Sequence, residues 1–149
     1  MSVVQEPPLN EHATIERIAT VRSATLGTIC PDGLPHLVPC VFAVDAPVLF
    51  IPIDGKPKRS RELKRLNNLR TDPRAVLLFH GWDEDWSRLW WVSVTGEARI
   101  LRTPSDMNHA RHLLLARYSQ YRAPEELDPI IQVRITKVVE WRAEREATP

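Results

Sequence analysis

The chain has 149 residues, with 20 Lys and Arg against 19 Asp and Glu, and a formal charge of +1. That length suits one domain and crowds two, and the balanced charge speaks against a protein that coats nucleic acid or lies on an anionic membrane. A hydrophobic content of 43% beside 26% charged residues excludes a mostly disordered chain, and Cys30 and Cys40 are too few for a secreted disulfide scaffold and too far apart for a CxxC pair or a zinc ribbon.

The first element is a helix, with Asn10 as its N-cap and Ile15, Ile18, Ala19 and Arg22 at helical spacing. Ala24 to Cys30 reads as a strand. Pro31-Asp32-Gly33 makes a tight turn, because Pro presets its backbone angle and Gly accepts the left-handed position. Leu34 to Val44 returns as the second strand, Asp45-Ala46-Pro47 turns again, and Val48 to Ile53 is a third strand closed by Asp54-Gly55. Lys58 to Leu69 is a helix with Leu63, Leu66 and Leu69 on its apolar side, stopped by Asp72-Pro73. Ala75 to His80 is the fourth strand, and Leu89 to Leu101, rich in β-branched and aromatic residues, is the fifth. Thr103-Pro104 opens a helix from Ser105 to about Tyr121, with Pro in its first turn. Ile130 to Trp141 alternates well and forms the sixth strand. No β-α-β rhythm is sustained, so the expected class is mainly β: an antiparallel barrel with peripheral helices, as a single domain over 1–149 with flexible ends at 1–9 and 143–149.

No apolar run approaches the roughly 20 residues of a membrane helix, and Met1 to Asn10 lacks the basic-then-apolar pattern of a signal peptide. A soluble, cytoplasmic protein is expected, without a membrane or nucleic-acid partner.

Four places carry candidate chemistry. The stretch from Leu34 to Phe42 is apolar on both faces, which implies burial, yet it holds Pro35 and Pro39. Residues two and four apart point their nitrogens to one side of a strand, so both prolines strip donors from the same border. That border is either a guard against edge-to-edge pairing or a dry ledge where the Leu37 N–H and several carbonyls meet a flat polar ligand.

The second place is Lys56-Pro57-Lys58-Arg59-Ser60-Arg61. From Lys56 to Arg74 there are eight basic residues and two acidic ones, Glu62 and Asp72. Cations at a helix N-terminus are disfavoured by the macrodipole, and an anion such as phosphate offsets that cost by drawing free N–H groups and basic side chains together. Lys64, Arg65 and Arg70 read as an ordinary solvated helix face.

Four of the five tryptophans fall between Trp82 and Trp91. Trp90 and Trp91 are adjacent and face opposite ways on a strand, so one can enter the core while the other lines a groove or an interface. Asp83, Glu84 and Asp85 read as loop acidity, since three consecutive acids do not converge on one ion. His109 and His112 lie one helical turn apart without a third ligand, so no metal is expected. His36 and His80 have the chemistry of a general acid or base, although a lone strand histidine is more often structural. No GxSxG, GxxxxGK[ST] or GxGxxG pattern is present.

Taken in order, Ala24-Thr25-Leu26-Gly27-Thr28, Asp32-Gly33-Leu34-Pro35-His36-Leu37-Val38-Pro39, Lys56-Pro57-Lys58-Arg59-Ser60, Asp72-Pro73-Arg74 and Asp85-Trp86-Ser87-Arg88-Leu89-Trp90-Trp91-Val92 resemble the pyridoxamine 5'-phosphate oxidase-like split β-barrel superfamily. The closer resemblance is to its actinobacterial branch of coenzyme F420-dependent oxidoreductases. The resemblance implies a six-stranded antiparallel split β-barrel of the FMN-binding type and a homodimer with two cofactor sites at the subunit interface. It implies that His36, Leu37, Val38 and Pro39 support the deazaflavin ring. It assigns Lys56, Lys58, Arg59 and Ser60 to the cofactor phosphate and acidic tail, and Trp86 and Trp90 to the neighbourhood of the ring or interface.

Such enzymes need no side chain that bonds covalently to substrate, because the cofactor carries the hydride. No catalytic residue and no metal site is assigned. The chain departs from the phosphate oxidases in lacking their C-terminal substrate-phosphate segment, which speaks against pyridoxamine phosphate as substrate. FMN in place of F420, and a barrel that binds flavin or haem without turnover, stand as the alternatives.

Overall fold

The computed structural model describes residues 12–54 and 59–143, with the side chains of Asp54 and of residues 59–63 outside that description. In chain order the elements are α1 (His12–Ala19), β1 (Ala24–Ile29), β2 (Pro35–Cys40), β3 (Ala43–Asp45), β4 (Val48–Asp54), α2 (Arg59–Thr71), β5 (Arg74–Gly81), β6 (Trp90–Leu101), α3 (Pro104–Arg117) and β7 (Leu127–Arg142). The strands form one antiparallel sheet in the order β2-β1-β5-β6-β7-β4-β3.

Alternation explains which face closes on the core. Leu26, Leu77, Phe79, Val92, Val94 and Val133 are fully buried on the inner face, each contributing about 1.5–3 kcal/mol of apolar transfer. Phe42 and Phe79 meet edge to face with centroids 4.9 Å apart. A second apolar cluster forms where Met107, Ala110 and Leu114 of α3 cover Phe50, Leu101 and Leu127.

The first hairpin turns as its sequence requires. Gly33 adopts φ +87, its N–H donates to the Cys30 carbonyl at 2.8 Å, and Asp32 Oδ1 accepts the Leu34 N–H at 3.1 Å.

Two expectations are corrected here. The sheet has seven strands rather than six, because the segment from Leu34 to Val44 breaks at Val41-Phe42 into β2 and β3. The Phe42 N–H donates to the Tyr118 hydroxyl at 3.1 Å, and that hydroxyl lies 3.0 Å from the carbonyls of both Phe42 and Arg22. A side chain therefore takes the place of a neighbouring strand. The proline-bearing strand is also not buried: β2 pairs only with β1, and Pro35, Leu37 and Pro39 are exposed. Its unpaired border is what the two prolines require.

The helices follow the expected order with shifted ends. α2 runs on to Thr71, and Asp72 accepts both the Arg74 N–H at 3.1 Å and its guanidinium at 2.7 Å, which makes Asp-Pro-Arg a locked turn. α3 is capped by the Thr103 hydroxyl, which accepts the Asp106 N–H at 3.3 Å. It ends at Arg117 rather than near Tyr121, because Tyr118 turns inward to the sheet break. α1 is tied to β7 by the Thr14 hydroxyl, which donates to Glu140 at 2.8 Å, and by Arg17 at 3.2 Å from the same carboxylate. The expected Asn10 cap and the ends at 1–9 and 144–149 lie outside the described residues, whereas the Ala143 N–H donates to Leu89 at 2.9 Å. Among the described residues no helix is long and apolar enough to cross a membrane.

Candidate functional site

The β1–β2 ladder fixes where each predicted ring-contacting residue points. Thr28 pairs with His36, Gly27 with Leu37, Leu26 with Val38 and Thr25 with Pro39. The Cys30 N–H donates to Leu34 at 2.9 Å, and from there bonded and non-bonded pairs alternate. His36, Val38 and Cys40 thus exchange bonds with β1, while Pro35, Leu37 and Pro39 direct their nitrogens to the open border. On that border Leu37 alone carries an N–H, flanked by carbonyls. The side chains divide the same way: His36 and Val38 face the barrel interior, and Leu37 and Pro39 face outward.

On the inner side, His36 meets α2. His36 Nδ1 and Arg65 Nε are both closed off from solvent, with no hydrogen-bond partner among the described residues. Burial, then the positive charges of Lys64 and Arg65, holds the His36 pKa below its ordinary 6.5. Burial pushes the Cys40 thiol up to about 12, against the pull of Arg65. Arg65 is therefore half-buried, where a wholly solvated helix face was expected. The signal was present in the spacing: Arg65 lies three residues before the buried Asn68 and four before the buried Leu69, on the side of the helix that enters the protein. Lys64 and Arg70 are exposed as expected, and Arg70 bonds Asn67 at 2.9 Å.

Asn68 anchors α2 against the hairpin. Its Nδ2 donates to the Thr28 hydroxyl at 3.1 Å and lies 3.6 Å from Cys30 Sγ. Arg59 and Ser60 begin α2, where backbone N–H groups lack partners within the helix; their side chains are outside the description. Lys56 and Lys58 lie outside the described residues.

The outer face is apolar for a surface. Across the ladders Leu37, Gly27, Val76 and Thr95 form one row, and Pro39, Thr25, Leu78, Ser93 and Val139 form the next. Leu37 is 67% exposed, and Val76 and Leu78 are exposed beside it. Gly27 matters here because a Cβ at that position would stand 3.3 Å from Leu37 Cδ2, so the missing side chain lets Leu37 lie close over β1. Trp91 extends this face, paired with His80 on one side and Trp141 on the other.

The tryptophans separate as alternation demands. Trp90 packs toward the core, its indole against Gly81 and the Arg17 guanidinium 6.0 Å from its ring. Trp86 is 68% exposed in a 3-10 turn at Trp86–Arg88. The acidic run shapes that loop: Asp83 accepts the Asp85 N–H at 2.8 Å, and Asp85 accepts the Ser87 N–H at 3.1 Å and its hydroxyl at 2.7 Å. His109 bonds Asp45 at 2.6 Å, and among the described residues no group of three side chains is arranged to hold a metal.

One nitrogen each of a half-buried imidazole and a half-buried guanidinium, closed off and without a partner among the described residues, suit an anionic oxygen, and the bare border of β2 suits a flat polar ring. The residues present therefore fit a phosphorylated, ring-bearing coenzyme.

The comparisons agree in fold. The family model of pyridoxamine 5'-phosphate oxidase matches residues 11–142. A conserved hypothetical protein from Mycobacterium tuberculosis is similar at a TM-score of 0.74 and 25% identity, over 94% of this chain and 89% of that one. An FAD binding protein from Mycobacterium smegmatis is similar at 0.62 and 16%, over 97% and 100%. The heme storage protein HutZ from Vibrio cholerae is similar at 0.64 and 14%, over 85% and 89%. No curated protein matches the chain. With its model matched along nearly the whole sequence and its split barrel present, the chain belongs to the pyridoxamine 5'-phosphate oxidase family.

Proposed function

We propose that this protein is an oxidoreductase that uses coenzyme F420, moving a hydride between the reduced deazaflavin and a small organic substrate. The observation that carries this reading is a pair of buried polar atoms with no partner among the described residues, His36 Nδ1 and Arg65 Nε. Leaving such groups without an acceptor costs about 1–3 kcal/mol each, and a phosphate oxygen removes that cost. By their place in the sequence, Lys56, Lys58, Arg59 and Ser60, before and at the start of α2, are assigned to the coenzyme phosphate and its acidic tail. Pro35, Leu37 and Pro39 offer the ring a border with one donor and several acceptors.

The coenzyme, when bound, supplies the hydride. The chain binds and orients it and keeps water from the reacting face. No side chain is asked to form a covalent bond. The outer face of Leu37, Val76, Leu78 and Trp91 supports a homodimer in which a second copy covers that surface and completes two cofactor sites. The free thiols of Cys30 and Cys40 suit a cytoplasmic protein.

A second reading is favoured by similarity to an FAD binding protein and a heme storage protein: FMN or another flavin in the same place, or a barrel that binds without turnover. Titrating the purified protein with F420, FMN, FAD and haem, followed by fluorescence and calorimetry, tests these together. Tight F420 binding with oxidation of the reduced form by enones or quinones supports the proposal. Selective FMN binding moves the assignment to a flavin enzyme, bound reduced F420 that is never oxidised faster than in buffer makes the protein a carrier, and no binding of any of them removes the reading.

A further inference from the structure

Away from β2 and α2, a cavity of about 430 Å3 opens where α1, the start of β3 and α3 meet, within the size range of small-molecule sites. Its walls are Ile15, Phe42, Val44 and Leu113. Ala19 and Ala116 stand exposed at its mouth, so the width of the opening depends on two methyl-sized side chains. Among the described residues the charged groups lining it are both cations, Arg22 and Arg117, with no acidic side chain in its wall.

The two arginines are not equivalent. Arg117 is committed to the fold: its Nε donates to the Tyr118 hydroxyl at 3.1 Å, and its Nη groups donate to the carbonyls of Ala19 and Val21. Arg22 gives Nη2 to the Arg117 carbonyl and lays its guanidinium 4.8 Å from the centre of the Tyr118 ring. Those two contacts hold the group in place and leave Nε and Nη1 uncommitted among the described residues. A guanidinium with spare donors, fixed beside an apolar hollow, is complementary to one negative charge on a hydrocarbon body.

We propose that this cavity is a second ligand site that takes an apolar monocarboxylic acid, with the carboxylate on Arg22 and the hydrocarbon between Phe42, Val44 and Leu113. It shares no residue with the His36 and Arg65 cluster, so it stands whether or not the coenzyme reading holds.

Octanoate titrated calorimetrically into the purified full chain is the test, with octanol as the uncharged probe of equal length. The expected result is saturable binding of one octanoate per chain, at least tenfold weaker for octanol and for Arg22→Gln, and lost in Ala116→Phe. Ala116→Met fills less of the mouth and serves if the larger side chain lowers Tm. Coenzyme affinity should be unchanged in all three variants. Absence of saturable octanoate binding to the unaltered chain overturns the proposal, as does equal affinity for octanol or equal affinity in Arg22→Gln, which would leave Arg22 as a cap on the C-terminus of α3.

Discussion

Thr28 and His36 stand opposite each other in the β1–β2 ladder and divide α2 between them: Asn68 bonds the Thr28 hydroxyl at 3.1 Å, while Lys64 and Arg65 bear on the imidazole. The helix is thus docked by a neutral hydrogen bond on one strand and leaves its charge facing the other. Asn68 docks the helix, and in the proposed site Arg65 and His36 are the groups that would meet the ligand.

Arg65→Ala should weaken binding of the phosphorylated coenzyme by about 1.5–3 kcal/mol, the range of a charge-assisted bond, or roughly ten- to a hundredfold. Lys58→Ala should act in the same direction. Calorimetric titration of each variant decides this, and an unchanged affinity in both would place the anion elsewhere.

The pH dependence follows from the depressed His36 pKa. The unfolded chain takes up a proton near 6.5, and the native chain resists it until lower pH. His36 therefore contributes stability above 6.5 that is lost as pH falls through its native pKa. Phosphate bound at Nδ1 should reverse the shift and raise the pKa. Urea melts between pH 5 and 7 of the unaltered chain and of His36→Gln should differ in slope, and an imidazole NMR titration should move upward when inorganic phosphate is added. Identical slopes, or a titration indifferent to phosphate, would remove His36 from the anion site.

Leu78→Lys places a charge in the centre of the apolar outer face without touching the core, since Leu78 is 41% exposed and its neighbour Leu77 is buried. Light scattering should show the unaltered chain as a dimer at micromolar concentration and this variant as a folded monomer. A monomeric unaltered chain would sink the interface.

Tyr118→Phe removes the hydroxyl that serves the backbone of Phe42. Leaving those buried groups unpaired should cost about 1–3 kcal/mol, read as a lower urea midpoint at unchanged slope. Amide exchange at Phe42 should accelerate far more than at Leu77 in the sheet centre.

Much of this molecule could be read from its residues. Pro31-Asp32-Gly33 set the hairpin, alternation set the faces of β5 and β6, and Pro35 and Pro39 marked β2 as a border. The break at Val41-Phe42 was illegible because both residues are apolar and β-prone, and the group that ends the strand, Tyr118, lies 76 positions away. Arg65 was legible only in part: its spacing before Asn68 and Leu69 put it on the inward side of α2, but a basic residue among basic residues does not show what the hairpin brings over that side. The placement of Trp90 and Trp91 on opposite faces follows from the same alternation, which puts Trp90 with the buried Val92 and Val94 and Trp91 with Ser93 and Thr95.

Because β2 and β3 are the two borders of one sheet and also neighbours in the chain, a peptide link takes the place of a row of hydrogen bonds along that line. Widening the circumference there severs no ladder; it strains a two-residue tether and the phenol that bridges it. This line of the barrel is therefore held by covalent chain and by one phenol, and substitution at Tyr118 loosens it without touching the pairing of the five central strands.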